Sequence, residues 1–170
     1  MNTKRLFFAL WPDDRQRDQL RNHITPLAKL VEGRHVFRGN WHVTLAFIGD
    51  FPAARIGALH EAAARVPVEP FRLRFDRVEF WPRQKVACLV AAIVPPELDR
   101  LVDGLNQVLA QFGIDTEDHR RFRPHITVVR RARPFETQRP AQPAIVDWAG
   151  FRLLESVSER GESSYHPVDQ

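Results

Sequence analysis

Two apolar, strand-like segments that begin with the same polar pair constrain the fold of this chain more than any other feature. Residues 41–49 read WHVTLAFIG, and residues 124–130 read PHITVVR. Side chains on a β-strand alternate between two faces, so His42 and Thr44 are expected to share one face. The residues expected to face the core on the other side are Val43, Leu45 and Phe47.

The second segment repeats this pattern. His125 and Thr127 share a face, and Ile126 and Val128 occupy the opposite, core-facing side. Each strand would therefore present an imidazole and a hydroxyl about 7 Å apart along the backbone. A single motif of this kind is most simply an exposed strand end, but two copies in matching places indicate a function.

The two motifs lie in half-sequences that share one order of elements. A strand, a helix and a His-x-Thr strand are predicted at 4–11, 12–31 and 42–48, and again at 85–94, 96–112 and 125–130. The two histidines are 83 residues apart. This order predicts two similar lobes related by an approximate two-fold axis, with one motif from each lobe lining a shared central cleft.

The remaining segments complete this organisation. Pro12 is expected to open the first helix, and Pro26 to kink or end it. A helix is predicted over 52–65, single strands over 71–81 and near 145–158, and a last short strand at SSYHPV after a turn at Gly161.

Length and composition place these elements in one domain, residues 1–170. No apolar stretch approaches the roughly 20 residues of a membrane-spanning helix, and the N-terminus does not resemble a signal peptide. We therefore expect a cytoplasmic protein that is a monomer and has no membrane partner. The single cysteine, Cys88, lies in the apolar run VACLVAAIV and is interpreted as a core residue, with a catalytic thiol as the disfavoured alternative.

The positive charge is almost entirely arginine, whose planar guanidinium suits phosphate oxygens. A compositional preference for arginine over lysine explains the overall count equally well, but local clustering is more informative. The arginines around the second motif are Arg120, Arg121, Arg123, Arg130, Arg131 and Arg133. This cluster predicts a positive field that attracts phosphate and lowers the pKa of His125, which would leave His42 better placed to be protonated.

Two histidines facing each other across a cleft suit acid–base chemistry near neutral pH. The threonine hydroxyls could donate hydrogen bonds to phosphoryl oxygens, and Arg130 could add a charge-assisted bond. Strict alternation places Arg130 on the wrong face, so its reach depends on a bulge or on the strand end. Zinc is the main rival use of paired histidines, but neither motif has a carboxylate or cysteine at ligand spacing.

The other histidines have no comparable context. The triplet His23-Ile24-Thr25 lies in the first predicted helix, where its polar side chains diverge, and is interpreted as a coincidence. The remaining histidines are interpreted as surface residues: His35, His60, His119 and His166.

With these motifs in place, the chain resembles the two-histidine phosphoesterase superfamily, whose mark is two His-x-Thr-x motifs, here HVTL (42–45) and HITV (125–128). RLFFALWP, WHVTLAFIGD, RFRPHITVVR and the tail RGESSYHPV resemble the bacterial RNA 2′,3′-cyclic phosphodiesterases, the LigT-like branch once called 2′-5′ RNA ligases. The resemblance implies a bilobal α+β fold in which two antiparallel sheets flank the cleft and the helices lie outside.

The same resemblance implies hydrolysis of an RNA 2′,3′-cyclic phosphate to a 2′-phosphomonoester without metal or cofactor. His42 would be the proton donor, His125 the proton acceptor, and Thr44, Thr127 and Arg130 the phosphate-binding residues. Alternatives left open are a related enzyme acting on 2′-5′ linkages or small cyclic nucleotides, reverse ligation of RNA ends, and a nucleotide-binding module without catalysis. The four intact motif side chains argue against the last of these.

Overall fold

Three α-helices and ten β-strands make up the described part of the chain, residues 2–116 and 122–168, in the computed structural model. The helices are α1 (Asp14–Ala28), α2 (Ile56–Ala64) and α3 (Pro96–Gln111). The strands are β1 (Thr3–Leu10), β2 (Arg34–His35), β3 (Val43–Pro52), β4 (Phe71–Phe75), β5 (Arg77–Trp81), β6 (Val86–Val90), β7 (His125–Arg130), β8 (Ala144–Trp148), β9 (Arg152–Glu159) and β10 (Glu162–Pro167). The α+β class expected from the sequence is confirmed.

Antiparallel pairing connects the strands into three sheets. The strand orders are β10-β9-β1-β3, β2-β7-β6-β5 and β4-β8. In each four-stranded sheet, the His-x-Thr strand pairs with the first strand of its own strand–helix–strand repeat, β3 with β1 and β7 with β6, whereas the short β2 pairs with β7. We call these two the N-sheet, which contains β3, and the C-sheet, which contains β7.

The two sheets have equivalent registers around the motifs. Ala9 pairs with Thr44 in the N-sheet, and Cys88 pairs with Thr127 in the C-sheet. The helix that separates the paired strands is α1 in the first half and α3 in the second. These matched registers support the two-lobed arrangement inferred from the sequence.

The first turn of α1 is fixed by its cap. Asp13, not Pro12, is the N-cap residue: its carboxylate accepts from the Gln16 amide, while the Gln16 side chain accepts from the Asp13 amide. The Gln16 side-chain nitrogen also donates to the Asp147 carbonyl at 2.7 Å, which ties the helix to β8. Pro26 lies inside the last turn, and α1 ends two residues later at Ala28.

Two segments predicted as single strands are each two strands. Residues 71–81 divide at Asp76 into β4 and β5, which belong to different sheets. The Asp76 carboxylate binds the Arg77 guanidinium at 3.1 Å, and its amide donates to Val90, so this polar residue occupies the corner between sheets. Residues 145–158 divide in the same way into β8 and β9, and Gly150 lies in the connection.

The segment predicted as a helix over 52–65 is also shorter than expected. β3 continues to Pro52, a 3₁₀ turn covers Ala53–Arg55, and α2 follows.

The largest apolar cluster among the described residues extends through all three sheets and the helices. It includes Leu6 of β1, Leu73 of β4, Leu89 of β6 and the inner stripe of α3 at Leu101 and Leu105. Cys88 is fully buried, as expected, although it lies in a separate small cluster described below. No helix within the described ranges has both the length and the apolar character required to span a membrane.

Candidate active site

Equivalent β-bulges place the functional side chains of each motif strand on one face. In the N-sheet, Phe8 pairs with Ala46 and Ala9 with Thr44, so Leu45 is the extra residue. Leu45 and Ala46 are both buried, so beyond Ala46 the side chains alternate between the two faces of the sheet in the opposite phase. Phe47 consequently projects on the same side as His42 and is 71% exposed, so its expected core position is wrong.

The bulge in the C-sheet lies at the matching position. Ala87 pairs with Val129 and Cys88 with Thr127, which leaves Val128 as the extra residue. Val128 and Val129 are both buried, and Arg130 returns to the face of His125 and Thr127. The bulge that Arg130 needs in order to reach the site is therefore present.

Two small apolar clusters, separate from the main core, support the two motifs. Under the first motif they are Phe7, Ala9 and Leu154, with Trp11 and Tyr165 packed against them. Under the second they are Val86, Cys88 and Val90, with Trp81 packed against them. The His42 ring lies 5.1 Å from Phe7 and 4.8 Å from Tyr165, and the His125 ring lies 4.3 Å from Trp81 (centroid distances).

Hydrogen bonds to the backbone orient both imidazoles in the same way. His42 Nδ1–H donates to the Asn40 carbonyl at 2.8 Å, and His125 Nδ1–H donates to the Arg123 carbonyl at 2.7 Å. A carbonyl oxygen can only accept, so the proton of each neutral ring is on Nδ1 and the Nε2 lone pair remains for chemistry. His42 Nε2 accepts from the Thr44 hydroxyl at 3.0 Å.

Burial is the main cause of a lowered pKa at both rings. The pKa of His42 is lowered to about 4 in total: burial is the largest cause, the bond to Asn40 partly offsets it, and the charges of Arg130 and His125 add to the lowering. Burial also lowers the pKa of His125, with Arg123 as an additional cause. Because the charge of His125 lowers the pKa of His42, the two imidazoles lie near each other.

This result reverses the order expected from the arginine cluster. His42, not His125, has the strongly lowered pKa. Burial is the main cause, and the cation that adds to it is Arg130 from the other motif strand. The other arginines of the cluster do not form one positive field, because Arg123 is paired with Glu79 at 3.0 Å and Arg133 with Glu32 at 3.2 Å. Arg131 is exposed. Arg120 and Arg121 lie outside the described residues.

Tyr165 is a site residue that the sequence reasoning missed. Arg130 Nη2 donates to its hydroxyl at 3.2 Å, and its ring packs edge-on against His42. Tyr165 therefore connects a cation of the C-sheet to an imidazole of the N-sheet. It is the only tyrosine of the chain and lies in the tail RGESSYHPV, but the resemblance of that tail assigned no role to Tyr165.

The other histidines lie apart from the two motifs. His23 is on α1 and bonds the Gln19 carbonyl, as expected for a chance triplet in a helix. His35, His60 and His166 bond Val31, Val168 and Ser164, respectively. His60 is only partly exposed, and His119 lies outside the described residues. Among the residues that are described, no three histidine, cysteine, aspartate or glutamate side chains form a group suited to a metal ion.

Comparison with known proteins agrees with this geometry. Residues 10–88 match the family model described as LigT like phosphoesterase. The chain is 32% identical to the RNA 2′,3′-cyclic phosphodiesterase of Escherichia coli K12, over 97% of this chain and 94% of that protein. It is 28% identical to the protein of the same name from Archaeoglobus fulgidus, over 76% and 75% of the two chains.

A solved structure gives the same result for the fold. The crystal structure of E. coli LigT complexed with 3′-AMP superimposes with a TM-score of 0.85 at 31% identity, covering 99% of this chain and 97% of that one. The similarity thus extends across both sheets and both motifs. The chain belongs to the LigT-like phosphoesterase family.

Proposed function

We propose that this protein hydrolyses RNA 2′,3′-cyclic phosphate ends to 2′-phosphomonoesters, with His42 as proton donor and His125 as proton acceptor. The observation that carries the proposal is the matched pair of imidazoles. Each ring holds its Nδ1 proton on a backbone carbonyl and leaves Nε2 for proton transfer. The names and 3′-AMP complex of the relatives support an RNA or nucleotide substrate.

The phosphoryl group would bind between the two motif strands. Arg130 supplies a charge-assisted donor, since its guanidinium is already on the site face and near His42. Among the described residues, the one partner of the Thr127 hydroxyl is the Cys88 sulfur at 3.9 Å, a weak contact, so this hydroxyl is available to a phosphoryl oxygen. Thr44 is engaged by His42 Nε2 until that nitrogen is protonated.

The reaction is an in-line displacement. His125 Nε2 accepts a proton from water, and the water oxygen attacks phosphorus while the P–O3′ bond breaks. His42 Nε2–H gives its proton to O3′, so the products are a 3′-hydroxyl and a 2′-phosphomonoester. The step ends with His125 protonated and His42 neutral, and proton exchange with solvent restores the starting state.

The lowered pKa of His42 requires the substrate to take part in its protonation. At neutral pH the free ring is neutral, because burial and Arg130 disfavour the imidazolium. An anionic cyclic phosphate beside the ring favours the charged form and raises its pKa. Protonation of Nε2 also removes the lone pair that the Thr44 hydroxyl donates to, which releases that hydroxyl for a phosphoryl oxygen.

One assay tests the proposal directly. The protein is incubated with EDTA and RNA that ends in a 2′,3′-cyclic phosphate, and the new terminus is identified. We expect a 2′-phosphate, and we expect turnover to be lost in His42→Ala and His125→Ala. A 3′-phosphate would reverse the roles of the two histidines, and no turnover by the wild type under any metal condition would refute the activity.

A further inference from the structure

Arg17, in the first turn of α1, packs against Trp11, one of the aromatic residues beside His42. Its guanidinium carbon lies 4.9 Å from the centre of the Trp11 ring, and Trp11 lies 6.4 Å from the ring of His42. Arg17 is therefore no more than about 11 Å from the His42 ring, the sum of 4.9 and 6.4 Å. The capped first turn and the Gln16–Asp147 bond hold this position.

The charge of Arg17 is poorly compensated by its surroundings. Its side chain is only 12% exposed, yet its nearest carboxylate is that of Asp14, at 3.7 Å and 99% exposed. Water screens such an exposed carboxylate and weakens the pair. The Arg17 Nε–H is buried and has no hydrogen-bond partner in the described part of the protein.

A second cation lies close to Arg17. The charge of Arg38 lowers the pKa of Arg17, although burial is the larger cause. Arg38 is satisfied by Asp18 at 2.9 Å, whereas Arg17 has no comparable partner among the described residues. An anion that pairs with the Arg17 guanidinium would compensate its charge and reduce the repulsion between the two guanidinium groups.

We propose that Arg17, stacked on Trp11, binds the phosphodiester that precedes the terminal nucleotide of the RNA substrate. The inference rests on the proposed function and extends it, because it predicts that the enzyme prefers oligonucleotide ends to cyclic mononucleotides. A planar guanidinium on an aromatic ring beside a phosphate site is suited to single-stranded nucleic acid, whose backbone charges and bases alternate. The bound of about 11 Å keeps Arg17 within reach of the nucleotide adjacent to the reacting one. Arg130 and the motif threonines are already assigned to the reacting phosphate itself.

The test compares two dinucleotides that end in a 2′,3′-cyclic phosphate. One has a normal, charged phosphodiester between its nucleosides, and the other has an uncharged methylphosphonate. We expect the wild type to have a kcat/KM about tenfold higher for the charged dinucleotide, the size of one hydrogen bond to a charged group. The variant Arg17→Gln should reduce this ratio to near one.

Two further variants separate a direct contact from other effects. Arg17→Lys keeps the charge but loses the guanidinium geometry, and should retain part of the preference. Arg21→Gln removes an exposed arginine one turn further along α1 and should retain all of it. If Arg17→Gln kept the wild-type ratio, or if Arg21→Gln lost it equally, the proposed subsite would be wrong.

A binding measurement requires neither turnover nor a variant. The probes are the same two dinucleotides ending in a 2′-phosphate, and their Kd is measured against salt concentration. The slope of log Kd against log salt should be larger by about 0.7 for the charged linkage. Equal salt slopes and equal Kd values for the two dinucleotides would overturn the proposed subsite even if the enzyme is active. A difference in salt slope between them, in a protein that shows no turnover, would refute only the proposed function.

Discussion

Acidification should destabilise this protein through His42 by an amount that follows from its burial. In the folded protein the pKa of His42 is lowered from an ordinary 6.5 to about 4. One pKa unit corresponds to about 1.4 kcal/mol. Protonating His42 therefore costs about 3 kcal/mol more in the folded protein than in the unfolded chain. This is a large fraction of the free energy of unfolding of a typical domain.

The sign and the pH window follow from proton linkage. Because the folded pKa is the lower one, the unfolded chain binds more protons between pH 6.5 and pH 4. The contribution to stability is therefore fully present above pH 6.5 and is lost as the pH falls toward 4. Asp76 has a pKa lowered by its hydrogen bond to Arg77, so its own loss of stability occurs at lower pH.

The measurement is the free energy of unfolding in urea at pH 7 and at pH 4.5, for the wild type and for His42→Asn. Asparagine can still donate to the Asn40 carbonyl but has no proton to gain in this range. Burial lowers the pKa of His125 as well, and that loss should appear equally in both proteins. The wild type should lose about 2 kcal/mol more than the variant between the two pH values.

An equal loss in the two proteins would refute the reasoning, since His42 would then titrate normally when folded. A histidine C2–H titration by NMR provides the independent check. The His42 resonance should not shift until the pH is well below 6, and should titrate at higher pH when the 2′-phosphate product is bound. A resonance that titrates near 6.5 without ligand would lead to the same refutation.

The remaining predictions concern catalysis. His42→Ala and His125→Ala should each lower turnover by about 10²–10⁴-fold. The unfolding midpoint should change little, because both rings lie on the site face. A near-normal rate in either variant would exclude the replaced histidine as acid or base. Activity should be unchanged by EDTA, and recovery of a lost activity by zinc would contradict this. Arg130→Gln should raise KM and lower kcat, whereas the exposed control Arg131→Gln should do neither. A substrate with an activated 3′ leaving group should rescue His42→Ala and not His125→Ala, and the reverse pattern would exchange the two roles.

Residue periodicity predicted the elements that carry the chemistry, because a half-buried strand has a period of two and its end is marked by polar residues. It failed where the chain changes sheet. In the run FRLRFDRVEFW the apolar alternation shifts phase at the adjacent polar residues Asp76 and Arg77, between Phe75 and Val78. A phase shift is equally compatible with a bulge in one strand, so the sequence alone does not show that a corner lies there. The bulges at Leu45 and Val128 are equally invisible, since an extra apolar residue in a strand looks the same as a slightly longer strand.

These bulges also explain how two matched strands form an asymmetric site. The fifth residue after each motif histidine returns to the site face, and it is Phe47 in the N-sheet but Arg130 in the C-sheet. The N-sheet strand thus supplies an aromatic ring where its counterpart supplies a cation. His42 is surrounded by aromatic rings, and two of its neighbours come from distant parts of the chain. Tyr165 packs edge-on against it, and Arg130, which donates to the Tyr165 hydroxyl, is the cation that lowers its pKa.

These neighbours from distant parts of the chain explain why charge counting along the sequence gave the wrong order of pKa values. Of the arginines near His125 in sequence, Arg123 and Arg133 are paired with Glu79 and Glu32, and Arg123 still lowers the pKa of His125. Arg130 is instead bonded to Tyr165 beside His42 and lowers the pKa of that ring. The field at an imidazole is set by the groups that packing brings to it, and by its loss of water, more than by the nearest residues in the chain. His42, the proposed proton donor, is therefore expected to be neutral until an anion arrives and to be protonated only when phosphate is bound.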